Sequence, residues 1–283
     1  KMGIDLPKPD EPKEFKLPEP NAKTRANHLK WRNRNVRDLT HDLNKYLPRL
    51  KNDGQFYSGP SWVKPYAKVF REKYNKNQKV TLKDVKDKVT EETKKWAGKT
   101  NSFVRVKKGT LAKILKDERF KSQFETQTSG GSMNNNYRSL FEGRVFSYPE
   151  NMDVTKRPIY GYASQDKKGH FLTESGRDAI AQYGRIRVKL KRGTRKRTTI
   201  TFADSLGAED SLLPTPLENP TQESQPIYDR YMLPYLEGKT MGRYVELQVH
   251  GGVNLDDVEV VHFPNQDTLT PELKKLLKQK GIK

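Results

Sequence analysis

The hydrophobic period of this chain changes near residue 100. Ahead of that point, Leu29, Val36, Leu39, Leu43, Leu47 and Leu50 recur at spacings of three, four and seven, one face of a helix that the turn Asn52-Asp53-Gly54 ends. Trp62, Val63, Tyr66, Val69, Phe70 and Tyr74 make a second amphipathic stretch, and Val85, Val89, Thr93 and Trp96 a third, with Thr81 as its N-cap. Beyond residue 100 the pattern alternates. Ser102–Val106, Arg157–Ala163, Tyr244–His250 and Val258–Phe263 read as strands. Gly184–Phe202 reads as a hairpin: Ile186, Val188 and Leu190 alternate with cations, a turn falls near Gly193-Thr194, and Thr198–Phe202 returns. Helices are expected after Thr110 (Leu111, Ile114, Leu115, Phe120), briefly at Asp178–Ala181, and at Pro271–Lys280, while Tyr137–Phe146 has packing character. Helices followed by a mostly β region make the fold class α+β. Residues 1–24, in which five prolines alternate with charges, form a semi-extended linker. Residues 25–100 form a basic helical subdomain and residues 101–283 the main domain.

Composition narrows what this fold can do. The 283 residues carry 55 Lys+Arg against 35 Asp+Glu, a formal net charge of +20, with 33% hydrophobic residues and no cysteine. Disulfides, thiol nucleophiles, Cys-ligated zinc and iron–sulfur clusters are excluded. No apolar run approaches the roughly 18–20 residues that cross a bilayer, so no membrane span is expected. The excess of cations attracts nucleic acid or serves solubility, and charge alone does not choose. Eight of the thirteen residues in Arg185–Arg197 are Lys or Arg. Nucleotide-binding glycine loops, His-Glu-x-x-His and Gly-x-Ser-x-Gly are all missing. The five histidines are scattered, and His250 on a strand reads as a packed or surface residue.

Three segments carry candidate chemistry. Alternation puts Tyr244, Glu246 and Gln248 on one strand face and Val245, Leu247 and Val249 on the other. The apolar face meets the core, which leaves Glu246 on a polar-lined face, either solvated or placed to stabilise a developing cation. Thr199 and Thr201 share a face of their strand, where hydroxyls either line a cleft or simply follow β-propensity. Arg157, ahead of Ile159-Tyr160-Gly161, is either a surface cation or a bidentate clamp for a pyrophosphate.

Four runs in order, Gln123-Phe124-Glu125-Thr126-x-Thr128-Ser129-Gly130-Gly131, Arg157-Pro158-x-Tyr160-Gly161, Thr199-x-Thr201-Phe202-x-Asp204-Ser205 and Tyr244-Val245-Glu246-x-Gln248-Val249-His250-Gly251, resemble a bacterial family of domains of unassigned function. That family is itself similar to ADP-ribosyltransferase toxins. The resemblance spans about residues 102–265. It implies a split β-core whose cleft holds NAD as substrate, with no metal. It makes Arg157 the NAD-phosphate ligand, with Arg144 as the alternative, and lets Thr199 and Thr201 stand in for a supporting Ser-Thr-Ser strand. Glu246 becomes the catalytic carboxylate, flanked by Tyr244 and Gln248, and Tyr160 or Tyr162 a stacking partner for nicotinamide. Two departures stand out: Thr-Ile-Thr replaces Ser-Thr-Ser, and Tyr244 occupies the place where many of these toxins carry a Glu or Gln that activates the acceptor.

The expectation is therefore a mono-ADP-ribosyltransferase toxin or effector. It would cleave NAD and transfer ADP-ribose to a macromolecular acceptor, protein or RNA. It would be secreted or delivered into a target cell as the C-terminal part of a longer chain, monomeric, with a cognate immunity protein as a further partner. The rival readings are a non-enzymatic basic nucleic-acid-binding or phage-associated protein, and a degenerate transferase fold kept as an interaction module.

Overall fold

Strands that alternate need neighbours on both edges, and here they find them in a single antiparallel sheet. The structure, a computed structural model, describes residues 82–128, 135–146, 148–149, 151–171, 178, 180–201, 205, 214–220 and 245–282. The linker 1–24, the first two expected helices and Thr81 lie outside the described residues, as do Ser129–Gly131 and Tyr244. In chain order the elements are helix α1 (Leu82–Lys99), strand β1 (Asn101–Val106), helices α2 (Lys108–Asp117), α3 (Gln123–Thr126) and α4 (Asn135–Phe146), strands β2 (Ile159–Ser164), β3 (Ile186–Leu190), β4 (Thr198–Thr201), β5 (Thr215–Pro216), β6 (Val245–Val249) and β7 (Val258–His262), and helix α5 (Pro271–Gln279). The sheet order is β5-β4-β6-β2-β1-β3-β7. The fold is α+β. No helix among the described residues is long and apolar enough to cross a membrane.

One face of the sheet is apolar. Val104, Val106, Ile159, Ile186, Val188, Leu190, Val249 and Val261 pack on Leu111, Ile114 and Leu115 of α2 and on Leu273 and Leu277 of α5. Toward the other edge, Ala163, Ile200, Val245 and Leu247 pack on Trp96 and Ala97 of α1. The last helix of the basic front thus shares a core with the sheet. Fully burying such an aliphatic side chain contributes about 1.5–3 kcal/mol, so this layer holds the sheet in place. Pro271 at the start of α5, and Thr270 Oγ1 accepting from the Leu273 amide, fix that helix where the sequence placed it.

Two local expectations are corrected. Thr110 does not cap α2: the helix begins at Lys108, with Lys107 at the cap and no side-chain bond there, so Thr110 lies inside the first turn. The Arg185–Arg197 hairpin does not form. Strand β3 pairs with β1 and β7, while β4 pairs with β6 and β5. Between β3 and β4 the chain runs as a 3-10 segment, Arg192–Arg197, rather than a tight turn.

The cations of this segment explain the difference, because two of them have structural partners inside the fold. Arg195 is buried and donates to the carbonyls of Ala97 (2.8 Å), Thr100 (3.1 Å) and Leu217 (3.3 Å), covering the C-terminal end of α1, where a cation is favoured. Arg197 donates to the His250 carbonyl (2.6 Å) and the Gly252 carbonyl and pairs with Asp257 (2.7 Å). Gly184, ahead of β3, has φ +121°, and a Cβ there would stand 2.3 Å from the Val106 carbonyl, so the chain can enter β3 this closely only as glycine.

Candidate functional site

The second face of the sheet is polar and also buried. Cross-strand register sets its side chains in rows. Thr201 lies opposite Glu246, Glu246 opposite Tyr162, and Tyr162 opposite Phe103. In the next row Thr199 faces Gln248, and Gln248 faces Tyr160. Further along, Arg105 faces Arg187, and Arg187 faces His262. Glu246, Gln248, Thr199 and Thr201 are all at most 4% exposed. Glu246 is therefore no solvated strand residue: it is a carboxylate enclosed by polar side chains.

Helix α4 covers this face. Its stripe Arg138, Glu142 and Phe146, spaced four apart, faces the sheet. Arg138 lies 4.0 Å over the Tyr160 ring and donates to Ser205 Oγ at 2.9 Å. Ser205 in turn donates to Glu246 Oε1, the same oxygen that accepts from Gln248 Nε2 at 2.9 Å. Glu142 accepts from Arg157 Nη1 at 2.7 Å and from the Tyr160 hydroxyl at 2.8 Å. Burial pushes the Glu142 carboxyl above its ordinary range, against the opposing pull of Tyr160 and Arg157. Burial likewise raises the Tyr160 phenol well above its ordinary value. Phe146 meets His250 edge-on, with ring centroids 4.7 Å apart.

Beyond β6 the same network continues. His250 Nε2 lies 2.8 Å from Thr199 Oγ1, and its Nδ1 lies 2.5 Å from the Tyr148 hydroxyl. Thr199 Oγ1 donates to Gln248 Oε1 at 2.9 Å, and Gln248 Nε2 donates to Thr201 Oγ1 at 3.0 Å. Burial, helped by the Arg197 charge, lowers the His250 pKa to about 3, so its ring is neutral at physiological pH. The expectation of a packed histidine understates it, since both ring nitrogens are engaged.

At the far end of the polar face, Arg105 holds Asp178 with both terminal nitrogens, at 2.6 and 3.0 Å, and lies 5.3 Å over the Tyr162 ring. Burial raises the Tyr162 phenol to about 12. Arg187 is buried beside Arg105, with no carboxylate at ion-pair distance among the described residues and its Nε without a hydrogen-bond partner. Burial and the neighbouring Arg105 lower its pKa.

No known family model matches the chain. Among curated proteins, it is 28% identical over 188 residues to the "Gene 2 protein" of Mycobacterium phage D29. The match covers 59% of this chain and 66% of the phage protein, just under two thirds of that relative's length.

The sequence-derived residues divide clearly. Glu246, Gln248, Thr199 and Thr201 come together as one hydrogen-bonded group. Arg157 is brought to the same face but is 3% exposed, paired with Glu142 and stacked 3.9 Å on Phe124. Tyr160 lies under Arg138, and Tyr162 stacks on Phe103 at 5.6 Å while its hydroxyl donates to the Gly169 carbonyl. Tyr244 and the side chain of Arg144 lie outside the described residues. Arg138, Glu142, Tyr148 and Arg105 went unrecognised in the sequence, whereas Ser205 closes the third motif run and Arg187 is one of the eight cations of Arg185–Arg197, neither with a role of its own there. The one available signal was the four-residue spacing of Arg138, Glu142 and Phe146. Among the described residues, no group of three or more His, Asp or Glu is placed to hold a metal ion.

Proposed function

We propose that the buried polar face binds NAD and that the protein is a mono-ADP-ribosyltransferase, with the split β-core of that fold and Glu246 as its acting carboxylate. The observation that carries this reading is the setting of Glu246: a carboxylate on a central strand, enclosed in the sheet's polar face, with one oxygen held by Ser205 and Gln248. Cleavage of NAD breaks the C1′–N bond. Neutral nicotinamide leaves with the bonding electrons, C1′ becomes oxocarbenium-like, and an acceptor nucleophile bonds to C1′ as it loses its proton. A fixed carboxylate whose orientation needs no rearrangement stabilises that positive charge.

The phosphates of NAD call for donors in a fork, which guanidinium groups supply. Arg157 was the first candidate, but its Nη1 serves Glu142. Arg187, buried on the same face without an ion-pair partner among the described residues, is the better placed cation. The exposed cations Arg185, Lys191, Arg192 and Lys196 would steer an acidic acceptor, protein or RNA, toward the domain. As such an enzyme the chain would act as a toxin or effector, secreted or delivered into a target cell.

The test uses NAD labelled in its adenylate half, incubated with the protein and a cell lysate. Label should pass to macromolecules with wild type and not with Glu246→Gln, and protease or ribonuclease treatment then reveals the acceptor class. Equal labelling by both proteins, or none by either, removes the proposal. The rival reading, a basic nucleic-acid-binding or phage-associated protein, instead requires salt-dependent nucleic-acid binding that Glu246→Gln leaves intact.

A further inference from the structure

We propose that His250, Thr199 and Gln248 are positioning residues, forming a one-way hydrogen-bond relay from Tyr148 to Glu246 that fixes where the carboxylate points. The relay's catalytic consequence rests on the reading of Glu246 given above, but its geometry does not.

The direction follows from proton counting, starting at an oxygen that accepts. Glu246 Oε1 accepts from Ser205 Oγ, and Gln248 presents its amide nitrogen to the same oxygen at 2.9 Å. Flipping that amide would set two acceptors against each other. With the nitrogen toward Glu246 and Thr201, the Gln248 oxygen faces Thr199 and accepts its hydroxyl proton at 2.9 Å. Thr199 has one proton and has now used it, so at 2.8 Å from His250 Nε2 its oxygen can only accept. His250 is therefore the Nε2–H tautomer. A neutral imidazole carries one N–H, so Nδ1 offers a lone pair to the Tyr148 hydroxyl at 2.5 Å. Among the described hydrogen bonds, each orientation is set by its neighbour.

These groups are all buried: Gln248 is 0% exposed, His250 1%, Thr199 3% and Tyr148 5%. On the opposite face of the same strand, Val245, Leu247 and Val249 pack in the apolar core. A buried polar chain that is fully satisfied fixes one geometry, and one broken link leaves the rest free to reorient. Losing the Thr199 hydroxyl removes what holds the Gln248 amide in its orientation, and the disturbance reaches Glu246 two groups away.

The test is NMR on the full chain with 15N-labelled histidine and 13C-labelled glutamate, with His250 and Glu246 assigned through His250→Gln and Glu246→Gln. In wild type, His250 should be the neutral Nε2–H form throughout about pH 5 to pH 8. The Glu246 carboxyl resonance should move in Thr199→Val and return toward wild type in Thr199→Ser. In NAD cleavage, Thr199→Val should lower kcat about tenfold or more with KM within about twofold, the split expected for an interaction made in the transition state. An Nδ1–H tautomer, a His250 that titrates in that range, or a Glu246 resonance indifferent to Thr199→Val overturns the relay. The first two readouts use wild type alone and survive any folding failure of the variants. Should wild type cleave no NAD, the functional reading falls, and the NMR result still decides the relay.

Discussion

The two faces of the sheet are built from the same strands, residue by residue in alternation, and both are buried. They are buried by different means. The apolar face is covered by α1, α2 and α5, whose aliphatic and aromatic side chains fit against it without directional bonds. The polar face lies under α4 and holds Glu142, Arg157, Glu246, Gln248 and His250, each with hydrogen-bond partners that burial makes obligatory. A hydrophobic layer already holds the helices to the sheet, so stability does not require the second face to be polar. That difference directs attention to the polar face as the place where the protein acts.

The comparison breaks most visibly at the Glu142–Arg157 pair. Arg157→Ala leaves the Glu142 carboxylate buried without its cation and should cost about 3–5 kcal/mol, read as the midpoint of urea unfolding. Replacing both partners by apolar residues of similar size should recover much of that loss. On the apolar face, Leu247→Ala opens a cavity and should cost about 2–5 kcal/mol.

Acid separates the faces further. The His250 pKa is lowered from its ordinary 6.5 to about 3 in the folded protein, so below pH 6.5 the unfolded chain takes up a proton that the folded one refuses. Stability should therefore fall as pH drops from about 6.5 toward about 3, by roughly 1.4 kcal/mol per pH unit from this group. His250→Gln should flatten that slope by the same amount, measured as unfolding free energy against pH. The smallest effect belongs to the surface: reversing Lys191 and Lys196, both exposed, should move stability by less than about 0.5 kcal/mol, while slowing capture of an acidic acceptor at low salt.

Much of this was legible in the sequence, but in pieces. Alternation placed Glu246 and Gln248 opposite Val245, Leu247 and Val249, because strand geometry alone decides which residues share a face. Alternation does not say which strand pairs with which, and so β3 and β4 read as a hairpin although three strands stand between them. The cations of this stretch are partly internal: Arg195 and Arg197 bond carbonyls from distant segments, a role invisible before the fold is known. Glu142, Arg138 and Tyr148 were missed for a related reason. They reach the site from a helix and the chain just after it, so only tertiary structure brings them to the strands.

The central claim is that the polar face performs chemistry and the apolar face only supports it, and adjacent residues of β6 test it. Release of nicotinamide from NAD should be measured for wild type, Glu246→Gln and Leu247→Ala, per folded molecule, at a temperature where all three are folded. The account expects Glu246→Gln to lose about 100-fold or more, and Leu247→Ala to keep turnover near wild type despite its lower stability. Wild-type turnover in Glu246→Gln would contradict it.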